Sequence, residues 1–431
     1  MNNYCIIGAG FSGLLLALYL AKKGEEVLLL EKNDKVGGLY RTERAVPIGA
    51  HHLGIPNLHE FQQFFEDLGI KNLRFIEAND LLLVDESETF TFSFRLDEQE
   101  KILLENFPTE ANSISKFYTY LNRFIDTISN NDQINQLKFF KETAFISFDD
   151  LLSKFKLSSK IRKILAAFGP AYAGVMKDDS AFTYLSVLST YGKGGYYLSE
   201  TSQLTAIIFK ELQKYPNCQI HTGVEHLNLE LIEGKYFKVN HDDDIQNVSE
   251  LILACYPIPL LQQLNQSSTS KRLLKDLSSL SLSPNVKRFY FELEVDLSLS
   301  HQEFIGMGDD YFMISLIKRD DKVKYVILTL IELDARFFDE EDARKLLSQK
   351  LGITSSHISR IQADEIGDFD QKKSVFGWYR NAKGNLVSNK LLNLSYYVER
   401  VHLVGNWGSS FGIYGSYFSV RRWIQNVEKR N

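Results

Sequence analysis

The chain has 431 residues and a formal net charge of −6, with 44% hydrophobic and 24% charged residues. That is the balance of an ordinary globular protein long enough for two domains. The acidic balance without a basic run argues against nucleic acid as partner, and no apolar run approaches the ~20 residues needed to cross a bilayer. Cys5, Cys218 and Cys255 lie far apart in apolar, strand-like stretches, and neither they nor the nine histidines show ligand spacing, so free thiols and no metal are expected.

The first forty residues are the most informative. The apolar run Tyr4-Cys5-Ile6-Ile7 stops at Gly8-Ala9-Gly10-Phe11-Ser12-Gly13, and a helical pattern follows (Leu14, Leu15, Leu18, Tyr19). A second apolar run, Val27-Leu28-Leu29-Leu30, ends at Glu31. Strand, glycine turn, helix, strand and acid in this order form a dinucleotide-binding fingerprint. Gly8 permits the turn, Gly10 lets the backbone approach a pyrophosphate, and Gly13 lets helix and strand pack closely. The helix start offers N–H groups and a positive dipole end to the phosphates. Glu31 stands where it can accept from ribose hydroxyls. The first strand starts almost at Met1 without a basic-then-apolar leader, so the cytoplasm is the expected compartment.

Asn57 caps a helix that ends at Gly69. Residues 81–84 and 89–95 read as a hairpin, and about 98–191 is mostly helical, with Phe117, Tyr120, Leu121, Phe124 and Ile125 at helical spacing. Within it, Gly169-Pro170-Ala171-Tyr172-Ala173-Gly174 reads as a loop. A helix is expected over 201–214. Strand patterns return at 218–255 and dominate 286–333, and the Ser-rich stretch 266–284 reads as a surface helix and connector. A helix near 340–351 precedes a final strand, Val401-His402-Leu403-Val404, a glycine loop from Gly405 to Gly412, and a helix to about Glu428.

Lys32-Asn33-Asp34-Lys35-Val36-Gly37-Gly38-Leu39-Tyr40-Arg41 resembles the E-x-x-x-x-x-G-G segment of the FAD-dependent amine oxidase, phytoene desaturase and UDP-galactopyranose mutase superfamily. Gly405-Asn406 followed by Gly412-Ile413-Tyr414 resembles that superfamily's C-terminal segment, where a helix start points at the flavin. The chain departs from the pattern at Leu39, where many relatives carry arginine, and at Asn406, where aspartate is usual. The resemblance implies FAD, held by Gly8, Gly10, Phe11, Ser12, Gly13, Glu31, Lys32, Gly37, Gly38, Leu39, Tyr40 and Arg41. Val224 is implied at the adenine, and Gly405, Asn406, Gly412, Ile413 and Tyr414 at the other end. Arg41 is available as a charge-assisted donor to the diphosphate.

The same resemblance implies an α/β plus α+β architecture. A Rossmann-like FAD-binding domain of the glutathione reductase type is built from 1–80, 192–257 and 371–431. A mixed sheet-and-helix substrate domain comes from 81–191 and 258–370. His51, in Pro47-Ile48-Gly49-Ala50-His51-His52, is a candidate to position substrate or move a proton. Tyr414 and Arg380 are candidates for an aromatic wall and a substrate clamp. The expected function is an FAD-dependent oxidoreductase, a monomer or homodimer, removing a hydride from a C–N or C–C bond of a small-molecule substrate. The aromatic helical insert suggests a bulky apolar one. A mutase-like enzyme acting on a sugar nucleotide and a non-enzymatic FAD-binding protein are the alternatives.

Overall fold

The computed structural model describes residues 2–43, 46–47, 52–71, 73–78, 80–85, 88–129, 133–192, 195–198, 204–242, 244–264, 281–283, 286–295, 297, 303–307, 311–319, 322–331, 338–361, 378–380, 386–387, 400–405 and 412–429. The Ser-rich stretch at 266–280, His51 and Asn406 lie outside the described residues.

The opening pattern folds as read: β1 (Asn2–Ile7), α1 (Phe11–Lys22) and β2 (Val27–Leu30). The side chains of β2 explain the fold around it. Its four apolar residues are all buried, because Val27 and Leu29 face one core and Leu28 and Leu30 another. A strand covered on both faces belongs inside a parallel sheet. β2 pairs in parallel with β1 and with Cys218–His221, and β1 pairs in parallel with Asp244–Leu253. That last strand is ten residues long and branches the sheet. Its first half pairs antiparallel with Tyr236–His241, which continues to Leu227–Ile232, and its last residues pair in parallel with Val401–Leu403. Chain from both ends and the middle therefore meets in one sheet.

α1 is apolar nearly all round, and ten of its residues are buried. A helix of that kind must be enclosed. The sheet covers one side, and Leu204–Leu212 and the C-terminal helix Gly412–Glu428 share its core on the other. The helix Leu58–Asp67 joins the same core, capped by the Asn57 side chain accepting from the Glu60 N–H at 3.1 Å.

A second sheet runs in the order 358–360, 286–293, 322–331, 311–319, 303–306, 80–84, 89–93. One face packs on Glu340–Leu351, whose Asp339 and Asp342 make a reciprocal capping box. The other face meets helices between 96 and 191, which bury Phe94, Phe117, Phe124, Phe148, Tyr172 and Tyr184 among themselves. Phe148 and Tyr184 stack with centroids 3.8 Å apart. Aromatic residues that suggested a bulky apolar ligand are thus largely occupied with one another.

One expected loop is a helix. Residues Phe168–Ala173 are helical and buried, ending at Gly174 with φ +63°. Pro170 is tolerated in the first turn, where its missing N–H costs nothing. Gly169 leaves room for the Tyr184 ring, since a Cβ there would lie 2.3 Å from it.

Candidate functional site

The turn between β1 and α1 is shaped by contacts that only glycine permits. A Cβ on Gly13 would sit 1.9 Å from the Gly8 carbonyl oxygen, so the first turn of α1 lies directly on the end of β1. Gly37 and Gly38, with φ of +114° and +56°, fold the second glycine pair back onto this turn. The Gly37 N–H donates to the Ala9 carbonyl at 2.8 Å, and Gly10 bridges Gly37. Gly10 behaves differently. A Cβ there would meet nothing nearer than the Gly38 Cα at 3.9 Å, and its φ of −74° suits any residue. Packing does not demand glycine at this point.

Gly10 caps α1 without a side-chain hydrogen bond, and no acidic residue occupies the first turn. Helix N–H groups and the positive dipole end therefore face an approach left open by Gly10. The far end of the chain arrives at the same place. Gly405, at φ +87°, lies so close to Ser12 that a Cβ would come within 3.0 Å of Ser12 Oγ. The Gly405 N–H donates to Ser419 Oγ at 3.1 Å, tying the end of the Val401–Leu403 strand to the C-terminal helix. That helix begins at Gly412 and also has no acid in its first turn.

Glu31 is buried and already bonded. Its Oε2 accepts from the Ala9 N–H at 2.8 Å, and its Oε1 accepts from the Asn33 N–H and side-chain amide at 3.0 and 2.7 Å. A carboxylate has about four acceptor sites, so one direction remains for a ligand. The acid braces the glycine turn as well as facing the site, a role that strand-end position alone did not reveal. The Val224 N–H donates to the Glu31 carbonyl at 3.0 Å, and Val224 is buried beside it. The two residues thus form one corner.

The remaining expected positions divide. Phe11 is buried against Tyr40 and Phe65 at 5.6 and 6.3 Å between centroids. Lys32 is exposed, while Leu39 and Arg41 are half-buried beside the glycine pair. Tyr40 is buried, its carbonyl accepting from Thr205 Oγ1 at 3.1 Å. Burial pushes its phenol pKa up, against the opposing effects of the Arg288 guanidinium and a hydrogen bond with Ser416. Ile413 is buried. Tyr414, in the first turn of the C-terminal helix, packs against Tyr417 and Phe61 at 5.6 and 6.5 Å, and burial raises its pKa. Arg380 lies in a strand pairing antiparallel with Ser281–Ser283.

Thr205, Ser416 and Ser419 are additions to the expected set. Their signal in the sequence is weak: hydroxyls inside helices, with no motif around them. Among the described residues no group of three or more histidines, cysteines or acids could hold a metal. No described helix is long and apolar enough to cross a membrane.

Comparison with known proteins agrees with this geometry. The family described as an NAD(P)-binding Rossmann-like domain matches residues 6–68. Human all-trans-retinol 13,14-reductase is 26% identical over 221 residues, covering 44% of this chain and 36% of the reductase. Phytoene desaturase of Fusarium fujikuroi is 21% identical over 284 residues, 59% of this chain and 49% of the desaturase. The matches thus span about a third to a half of those relatives. A putrescine oxidase redesigned at its cofactor site aligns over 99% of both chains with a TM-score of 0.69 at 14% identity. The fold is a mixed α/β one with a Rossmann-like domain and the architecture of the amine oxidases. The resemblance to the amine oxidase and desaturase superfamily, read from the terminal motifs, is borne out.

Proposed function

We propose that the protein is an FAD-dependent oxidoreductase that takes a hydride from a C–N or C–C bond of a small organic substrate. The observation that carries this reading is the open approach at Gly10. Neighbouring glycines are required by the chain's own packing, whereas this one leaves space beside helix N–H groups, where a side chain would obstruct a diphosphate. A Rossmann turn alone suits several dinucleotides. FAD is favoured because the glycine pair 37–38 closes on the turn and the end of the Val401–Leu403 strand converges on it through Gly405 and Ser12.

In this reading the first turn of α1 and Arg41 hold the diphosphate, Glu31 accepts from the adenosine ribose, and Val224 lies at the adenine. Gly405, Asn406 and the Gly412–Tyr414 turn hold the flavin end, where helix N–H groups stabilise negative charge. When bound, FAD supplies the hydride acceptor. Tyr414, whose phenol pKa burial raises further, backs that end. His51 is proposed to move a proton on the substrate side, and Arg380 to clamp the substrate. The sheet containing β1 belongs to a cofactor domain of 1–80, 192–257 and 371–431, and the second sheet to a substrate domain of 81–191 and 258–370. The protein is proposed to act in the cytoplasm as a monomer or homodimer.

Anaerobic mixing with candidate amines and polyenes tests the redox assignment. Bleaching of the flavin absorbance in proportion to added substrate supports it. A dithionite-reduced protein that instead converts UDP-galactopyranose to its furanose isomer would replace it with the mutase reading.

A further inference from the structure

The second sheet carries polar groups on one face that packing does not explain. Side chains alternate between faces along a strand. In the four strands 286–293, 303–306, 311–319 and 322–331, Phe289, Phe304, Ile314 and Leu328 point into the core closed by Glu340–Leu351. Arg288, Glu303, Ser315 and Thr329 take the alternate positions. Register sets them on a diagonal. Glu303 is opposite Ser315, Thr329 is opposite Arg288, and the strands of Ser315 and Thr329 are neighbours.

Glu303 and Ser315 are 0% exposed and Thr329 is 1% exposed. Tyr172 donates to Glu303 Oε2. Among the described residues, Ser315 Oγ and Thr329 Oγ1 have no hydrogen-bond partner. A buried hydroxyl without a partner destabilises a fold, and such a group in a native protein calls for an explanation. The band also leads toward the cofactor turn. Tyr191 packs on Tyr172 at 4.8 Å between centroids, and it borders Gly54, where a Cβ would come 2.9 Å from its ring. Burial raises the Tyr191 pKa, and the nearby Glu303 carboxylate adds to the effect. Tyr40 ends the short turn Gly38–Tyr40 that begins in the glycine pair.

We propose that Glu303, Ser315 and Thr329 form the head-group end of the substrate site, and that the substrate presents there a hydrogen-bond-donating group: an amine, amide or hydroxyl. The proposal rests on the flavoenzyme reading above and narrows it. A carboxylate accepts such donors and two hydroxyls both donate and accept. An unbroken hydrocarbon polyene laid on this face would leave the two hydroxyls of Ser315 and Thr329 desolvated without compensation. A site built to hydrogen-bond a polar group rejects analogues lacking it far more strongly than an apolar pocket rejects a change of size.

The test uses the full-length FAD-loaded protein and the substitutions Ser315→Ala, Thr329→Val and Glu303→Gln, with hexylamine, 1-hexanol and β-carotene in detergent micelles as probes. Calorimetry reads both melting and binding. Removing the two hydroxyls together is expected to raise the melting temperature by about 2 °C while weakening hexylamine or hexanol binding about tenfold or more. Glu303→Gln is expected to weaken hexylamine more than hexanol. A lower melting temperature for the double variant, undiminished affinity, or β-carotene binding to the unsubstituted protein each overturns the proposal. Flavin content of the same samples is read separately. Flavin-free protein whose polar-probe affinity still falls on substitution keeps the head-group site and contradicts the flavoenzyme reading.

Discussion

Replacing Gly10 and Gly13 separately by alanine distinguishes a glycine kept for a ligand from one kept for packing. At Gly13 the added Cβ falls 1.9 Å from the Gly8 carbonyl oxygen, with the Gly8 carbonyl carbon at 3.1 Å. Both are backbone atoms, so α1 has to move bodily off β1, and overpacking of this kind typically costs about 1–3 kcal/mol or more. At Gly10 the nearest atom is 3.9 Å away and the backbone conformation is ordinary. The fold loses at most about 1 kcal/mol there through the poorer cap. The methyl group does, however, fill the approach to the first-turn N–H groups. Losing two charge-assisted hydrogen bonds at about 1.5 kcal/mol each weakens FAD binding about a hundredfold. The assay is urea unfolding of the apoprotein beside FAD titration by flavin fluorescence. Gly10→Ala is expected to unfold near the wild-type midpoint and to bind FAD poorly, whereas Gly13→Ala unfolds early. Wild-type FAD affinity in Gly10→Ala refutes the reasoning, and so do equal unfolding midpoints for the two variants.

Glu31→Ala removes the acceptor for Ala9 and Asn33 as well as for the ribose. It is expected to lower the melting temperature of the apoprotein and to cut FAD affinity about tenfold or more, both readable in one melting series with and without FAD. Tyr184→Phe strips the acceptor from the Gly169 N–H and the donor from the Leu165 carbonyl, both buried; a loss of about 1–3 kcal/mol in denaturant unfolding with unchanged flavin content is expected. His241 is buried with its ring 4.7 Å from that of His221, and its pKa is lowered, first by burial and then by His221, against the opposing carboxylates of Asp244 and Asp242. A depressed folded-state pKa means stability that is present above the unfolded value near 6.5 and lost as pH falls through the folded value. Unfolding midpoints are therefore expected to drop from pH 7 toward pH 5, and His241→Gln is expected to flatten that slope.

The parts that were legible in the sequence are those whose cause is local. Gly8 to Glu31 announce strand, turn, helix and strand because each residue type is required by its neighbours in the chain. Asn57 announces a helix start for the same reason. What escaped depends on distant partners. The Gly169–Gly174 stretch looks like a loop by composition, and it is helical because the Tyr184 ring and the surrounding core hold it. The second task of Glu31, bracing Ala9, needs the turn to fold first. Glu303, Ser315 and Thr329 are single polar letters in apolar strands, and only the pairing of three strands sets them side by side. Tyr414 was legible as a residue near a helix start, but its neighbours Phe61 and Tyr417 appear only in the folded core.

The central claim is that the cradle beneath Gly10 holds FAD, and the most direct measurement identifies what the purified protein releases on denaturation. Chromatography against FAD, FMN, NAD and NADP standards, with the chain quantified in the same sample, is predicted to show FAD approaching equimolar with protein, after reconstitution if it is purified partly empty. Release of a nicotinamide dinucleotide instead, or failure of the colourless protein to take up FAD, would contradict the account.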